Sequence, residues 1–114
     1  MGVPADKNDD TERLRQLVLK CFRVVETNRA DCSLCTLSFQ SITIPKLHVW
    51  VDTDLAGQLV IDLEDWEYEG SWDNAVAHLT ANDLETCSAI IIAWLTGESI
   101  DTCRQLGGSD VDII

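Results

Sequence analysis

Apolar residues recur at helical spacing through Leu14, Leu17, Val18, Cys21, Val24 and Val25, with Arg13, Lys20 and Arg23 on the opposite side. Asp9 and Glu12 ahead of this stripe stand in the relation of a capping box, with Asp in place of Ser or Thr. The pattern predicts a helix over about residues 10–27, closed near Asn28, a residue that tolerates the left-handed conformation. Residues 28–34 read as a loop. From Cys35 to Ile44 the chain turns to Thr36, Leu37, Phe39, Ile42, Thr43 and Ile44, a β-branched and aromatic composition that predicts a strand. Its apolar phase slips after Phe39, and a β-bulge near Gln40 and Ser41 would absorb the slip. Pro45 ends it.

The alternation is cleanest in the next stretch. Leu47, Val49 and Val51 alternate with His48, Trp50 and Asp52, and the pattern resumes as Leu59, Ile61 and Leu63 against Val60, Asp62 and Glu64. A hairpin with its loop at Thr53–Gly57 would pair Val51 with Leu59, Val49 with Ile61 and Leu47 with Leu63, burying one face. The same register would set His48 opposite Asp62, Lys46 opposite Glu64 and Trp50 opposite Val60. The outer face would then be only partly polar, and open to a covering helix or a partner.

Three helices are expected after the hairpin. The first is short, over residues 71–79, with Trp72, Ala75, Val76 and Leu79 on its apolar side and His78 near its surface. The second opens on a capping-box-like pair, Asn82 and Glu85, and carries Leu84, Cys87, Ile90, Ile91, Trp94 and Leu95. Ala89, Ile92 and Ala93 make it apolar almost all round, so it should be either the central buried helix or a homodimer interface around Leu84–Leu95. Gly97 is its natural stop. Ser99 can cap a last helix reaching Leu106. The expected fold is α+β. An N-terminal helix precedes a three-stranded antiparallel sheet (about 35–44, 46–52 and 58–65), and two or three C-terminal helices pack on one face of that sheet. A chain of 114 residues suits a single domain, 1–114, with residues 1–8 and 109–114 as loose ends.

Charge changes the picture. The net charge is −12, from 20 acids against 8 bases. Six of the bases lie within residues 1–30, and only Lys46 and Arg104 follow. A field of this sign repels nucleic acid and anionic lipid and attracts basic surfaces or cations. The opening MGVPADKNDD has neither a basic n-region nor an apolar h-region, and the longest apolar run, Ala89 to Leu95, is far too short to span a bilayer. With five cysteines, an odd count, these features predict a cytoplasmic protein with reduced thiols.

The densest candidate chemistry is the acidic block Asp52, Asp54, Asp62, Glu64, Asp65, Glu67, Glu69 and Asp73, which contains no base. Between Glu64 and Asp73 its acids interleave with Trp66, Tyr68 and Trp72. Spaced carboxylates can imitate a nucleic-acid backbone or neutralise a basic protein site, and aromatic residues supply desolvated anchors. The plainer alternative is a solvated strand end whose aromatics pack inward.

Other constellations are thinner. Asp52, Asp54 and Gly57 match the first, third and sixth positions of an EF-hand loop. Ala56 and Leu63, however, stand where an oxygen ligand and a bidentate Glu are needed, and the flanks are strands; a looser calcium site on Asp52 and Asp54 is the remaining version. Cys32 and Cys35 form a Cys-x-x-Cys pair, half of a zinc site or a redox couple, with no second such pair. No nucleophile elbow, phosphate-binding loop, dinucleotide fingerprint or zincin motif is present, so neither an enzyme nor a cofactor is expected.

The functional expectation is therefore an acidic inhibitor or adaptor that masks a basic, nucleic-acid-binding or nuclease-like site on another protein. Its contacts would be Asp62, Glu64, Asp65, Trp66, Glu67, Tyr68, Glu69, Trp72 and Asp73. Small acidic α+β outlines recur among unrelated inhibitors, immunity proteins and secretion chaperones, a likeness of shape alone. A calcium-binding protein and a homo-oligomeric structural subunit are the alternatives.

Overall fold

In a computed structural model the chain builds one six-stranded antiparallel sheet whose strands lie side by side in sequence order. The structure describes residues 7–27, 37–53, 58–70 and 74–111. The elements are α1 (Lys7–Val18), β1 (Val24–Glu26), β2 (Leu37–Ser41), β3 (Leu47–Thr53), β4 (Leu59–Asp65), β5 (Ala75–Thr80), α2 (Leu84–Leu95), α3 (Ile100–Gln105) and β6 (Ser109–Asp110). Phe39, Val49, Val51, Ile61, Leu63, Ala77 and Leu79 point to one face of the sheet. There they meet Leu14 and Val18 of α1 and Ile90, Ile91 and Leu95 of α2, forming one core. Among the described residues no helix is long and apolar enough to cross a membrane.

The expected α+β class and the helices at both ends are present, but the sheet has six strands rather than three. The first helix is shorter than expected because the stripe read as one helix belongs to two elements. Leu14 and Val18 are buried on α1, the chain reverses at Leu19–Arg23, and the β-branched pair Val24-Val25 enters the sheet as β1. Arg15 on α1 closes on Glu26 of β1 at 2.6 Å, pinning helix to strand. The strand β2 ends at Ser41, so no bulge is needed at Gln40; Ile42 leaves the core and is exposed.

The expected helix over 71–79 is the strand β5. Its burial alternates residue by residue, with Ala75, Ala77 and Leu79 inside. A run of six residues, Ala-Val-Ala-His-Leu-Thr, fits either period, and its two alanines favour a helix in isolation. The available edge of β4, paired from Ile61↔Leu79 to Glu64↔Ala75, decided for the strand. The tail is likewise held in part. Ser109 and Asp110 pair with Thr80 and Leu79, and Arg104 grips the Asp110 carboxylate at 3.1 Å.

The β3–β4 hairpin forms with a register two residues away from the expected one: Val49↔Leu63, Val51↔Ile61 and Thr53↔Leu59. A slip of two leaves every side chain on its expected face but changes its partner. His48 therefore lies opposite Glu64 rather than Asp62, and Trp50 lies opposite Asp62 rather than Val60. Between Leu63 and Glu64 the register against β5 shifts. There the Glu64 carbonyl accepts the indole N–H of Trp94 at 3.1 Å, which fastens α2 to the sheet.

Helix α2 buries Cys87, Ser88, Ile90, Ile91, Trp94 and Leu95 within the chain's own core. Its N-cap is Asp83, not Asn82: the Asp83 side chain accepts from the Thr86 N–H at 2.7 Å. At its C-terminus Gly97 takes φ +100°, and the Glu98 N–H returns to the Ala93 carbonyl at 2.9 Å. A Cβ at Gly97 would be strained in this conformation and would crowd Ile44. Ser99 caps α3 as its position implied.

The cap makes a pH prediction. Hydrogen bonds from the Thr86 N–H and side chain hold the Asp83 carboxyl below its ordinary 3.8. A carboxyl depressed in the folded state stabilises it above that pH, and the contribution is lost as pH falls through the folded value. Asp83→Asn keeps a capping oxygen without the charge. The stability difference between wild type and this variant, from denaturant unfolding, should shrink as pH drops below 3.8; a pH-independent difference would contradict the assignment.

Candidate functional site

Helices cover one face of the sheet; the opposite face collects the polar and aromatic residues of the alternating strands. Across it, Ser38, Trp50, Asp62 and His78 form one row on β2 to β5, and Gln40, His48 and Glu64 form a second on β2 to β4. His78 Nδ1 and Asp62 Oδ1 are 2.6 Å apart, an ion pair when the imidazole is protonated. His78 is thus a strand residue aimed at a carboxylate, not a helix-surface residue.

The second row ends in an unusual closure. After β4 the chain turns at Asp65–Tyr68, and Trp66 folds back over the His48–Glu64 pair. Its ring stacks on the His48 imidazole with centroids 3.6 Å apart and planes 2° from parallel. Its indole N–H donates to Glu64 Oε1 at 3.1 Å. The result buries two polar side chains, His48 at 3 % and Glu64 at 5 % exposure, under an indole that itself stays 49 % exposed.

The turn beneath is fixed by its own sequence. The Asp65 side chain accepts from the Glu67 N–H at 2.9 Å, and the Tyr68 N–H reaches the Asp65 carbonyl at 2.8 Å, the bonding of an Asx turn. The Asn74 side chain donates to the Tyr68 carbonyl at 2.8 Å. Gly70 leaves room for the Tyr68 phenol, which a Cβ there would strike. Lys46 lies 3.4 Å from Glu67 and 3.7 Å from Asp65. The arginines of α1 go elsewhere: Arg13 pairs with Glu85, and Arg15 with Glu12 and Glu26.

The acidic block therefore divides. Glu67 and Glu69 stand in solvent beside half-exposed Trp66 and Tyr68. Asp65 builds the turn, Asp62 engages His78, and Glu64 is interior. Trp72 and Asp73 lie outside the described residues, as do Asp54 of the calcium alternative and Cys32 and Cys35 of the zinc alternative. Asp52 sits on the outer face opposite Val60. Among the described residues, no three His, Cys, Asp or Glu side chains converge as a metal site would require.

Three features of this site and its surroundings are not among those expected from the sequence: His48 and Glu64 as the bed for Trp66, the Asp62–His78 pair, and the exposure of Phe22. The first follows from the β3–β4 register, which alternation alone leaves free to slip by two, and the second from residues 75–80 being a strand beside β4 rather than a helix. Phe22 did leave a signal, because it falls outside the apolar stripe, between Lys20 and Arg23. No protein-family model, curated protein or solved structure matches the chain.

Of the described cysteines, Cys87 and Cys103 are interior, and burial pushes both thiols up to about 11, with the Asp83 and Glu98 charges adding to the rise. Both are protonated at neutral pH and poor nucleophiles. In a variant with Cys21, Cys32 and Cys35 changed to Ser, alkylation of the remaining thiols at neutral pH should proceed only as fast as the protein opens. Rapid labelling of the native fold would overturn this.

Proposed function

We propose that this protein is an acidic recognition module, an inhibitor or adaptor that docks on a basic surface of another protein and competes there with nucleic acid by charge mimicry. One observation carries the reading: Trp66, held from one side by His48 and Glu64, presents its remaining surface together with Glu67, Glu69 and Tyr68 on a fixed turn. A solvating charge run needs no such support. A docking site gains from it, because side chains ordered before binding lose less entropy on contact. A half-exposed indole beside carboxylates suits a guanidinium, which can stack on the ring and pair with the acids.

The roles within the block follow from its geometry. Glu67 and Glu69 supply the long-range field and the contacts, with Trp66 and Tyr68 as anchors. Asp65 and Glu64 position them, and Asp62 belongs to the neighbouring His78 pair. Glu67→Gln with Glu69→Gln should slow association with the partner about tenfold at low salt and flatten its salt dependence. Trp66→Ala should weaken the complex by about 2 kcal/mol or more, chiefly through faster dissociation. The check is to capture partners from lysate at low salt, elute them in a salt gradient, and measure the purified partner's binding in competition with duplex DNA and with RNA. Binding indifferent to salt, or unchanged by all three substitutions, contradicts the proposal.

A further inference from the structure

The antiparallel order brings the start of β1, the end of β2, the start of β3 and the end of β4 to one end of the sheet. The three turns at that end hold four of the large apolar side chains that the fold leaves exposed. Phe22 precedes β1 and is 95 % exposed, Ile42 follows β2, and Trp66 and Tyr68 follow β4. The Ile42 N–H donates to the Arg23 carbonyl at 2.8 Å, so the first two turns are joined. Charge is split across the same end. Exposed Lys20 and Arg23 flank Phe22, and exposed Glu67 and Glu69 flank Tyr68. Three strand spacings, about 14 Å, separate the two clusters, and the turn containing Ile42 lies midway between them.

From this arrangement we infer that the end of the sheet is a docking surface for a second copy of the same chain. A two-fold axis along the sheet normal, through the Ile42 turn, exchanges the β1 side of one copy with the β4 side of the other. Phe22 with its two cations then meets Trp66 and Tyr68 with their two carboxylates, twice over, and Ile42 meets its own counterpart at the axis. Isologous contacts require this self-complementarity, and a surface evolved only for a basic partner would not need cations and a bare phenylalanine at its other edge. This surface is distinct from helix α2, whose apolar stripe faces its own core. The inference does not rest on the proposed partner, since pure protein suffices to test it.

The interface is small and belongs to the weak, reversible class. Sedimentation velocity over roughly 1–500 µM protein should show a monomer–dimer equilibrium in ~0.15 M salt, where screening beyond ~8 Å damps the repulsion between two −12 chains more than it damps close contacts. Phe22→Ser, which removes nothing from the core, should shift dissociation at least about tenfold. Lys20→Glu/Arg23→Glu and Glu67→Lys/Glu69→Lys should each be monomeric alone. Mixed one to one they should form a heterodimer, because one of its two charge pairings is then the native one and the other is restored in reverse. A wild type monomeric throughout the range, a dimer indifferent to Phe22→Ser, or charge variants that fail to rescue one another would overturn the inference. Loss of the dimer with partner binding intact would leave the proposed function standing.

Discussion

Glu64 ties the two sides of the sheet together. On the helical side its backbone carbonyl accepts the Trp94 indole, where the β4–β5 register shifts; on the outer side its carboxylate accepts the Trp66 indole. One residue thus fastens α2 to the core face and the acidic turn to the outer face. A buried carboxylate is costly unless its oxygens find donors, and the indole N–H is a donor that also brings an apolar lid. The lid closes over His48, the cross-strand neighbour of Glu64, so the position of Trp66 depends on the β3–β4 register.

That dependence explains what could be read from the chain. Period-two alternation made Leu47–Leu63 legible as a hairpin with the correct inner face, because burial selects the face. It could not select between registers two apart, which bury the same residues. The partner assignments of His48, Trp50 and Asp62 were lost with it. The helix at Leu84–Leu95, its Gly97 stop and the Ser99 cap were legible because each rests on local backbone chemistry. The strands β1, β5 and β6 were not. Each is six residues or fewer, and each is set by the sheet edge it completes, which is non-local information.

The acidic stretch was legible as a concentration of charge but not as an arrangement. Counting carboxylates treats Glu64 and Glu69 alike. Folding makes one an interior hydrogen-bond acceptor and leaves the other in water. The arginines of the first helix, close in sequence composition terms to a counter-charge, are occupied with Glu12, Glu26 and Glu85. The negative field at the end of β4 therefore meets Lys46 but not the helix. A fixed aromatic beside exposed acids that only Lys46 offsets, at one end of a sheet, is the physical content of the recognition proposal.

All of this requires Trp66 to lie on His48 in solution. Proton NMR of the two imidazoles tests it directly. An indole stacked at 3.6 Å must shift the His48 ring protons strongly to high field, and Trp66→Leu must return them to ordinary values while leaving His78 unmoved. Two histidines with ordinary shifts in the wild type, unaffected by Trp66→Leu, would contradict the account.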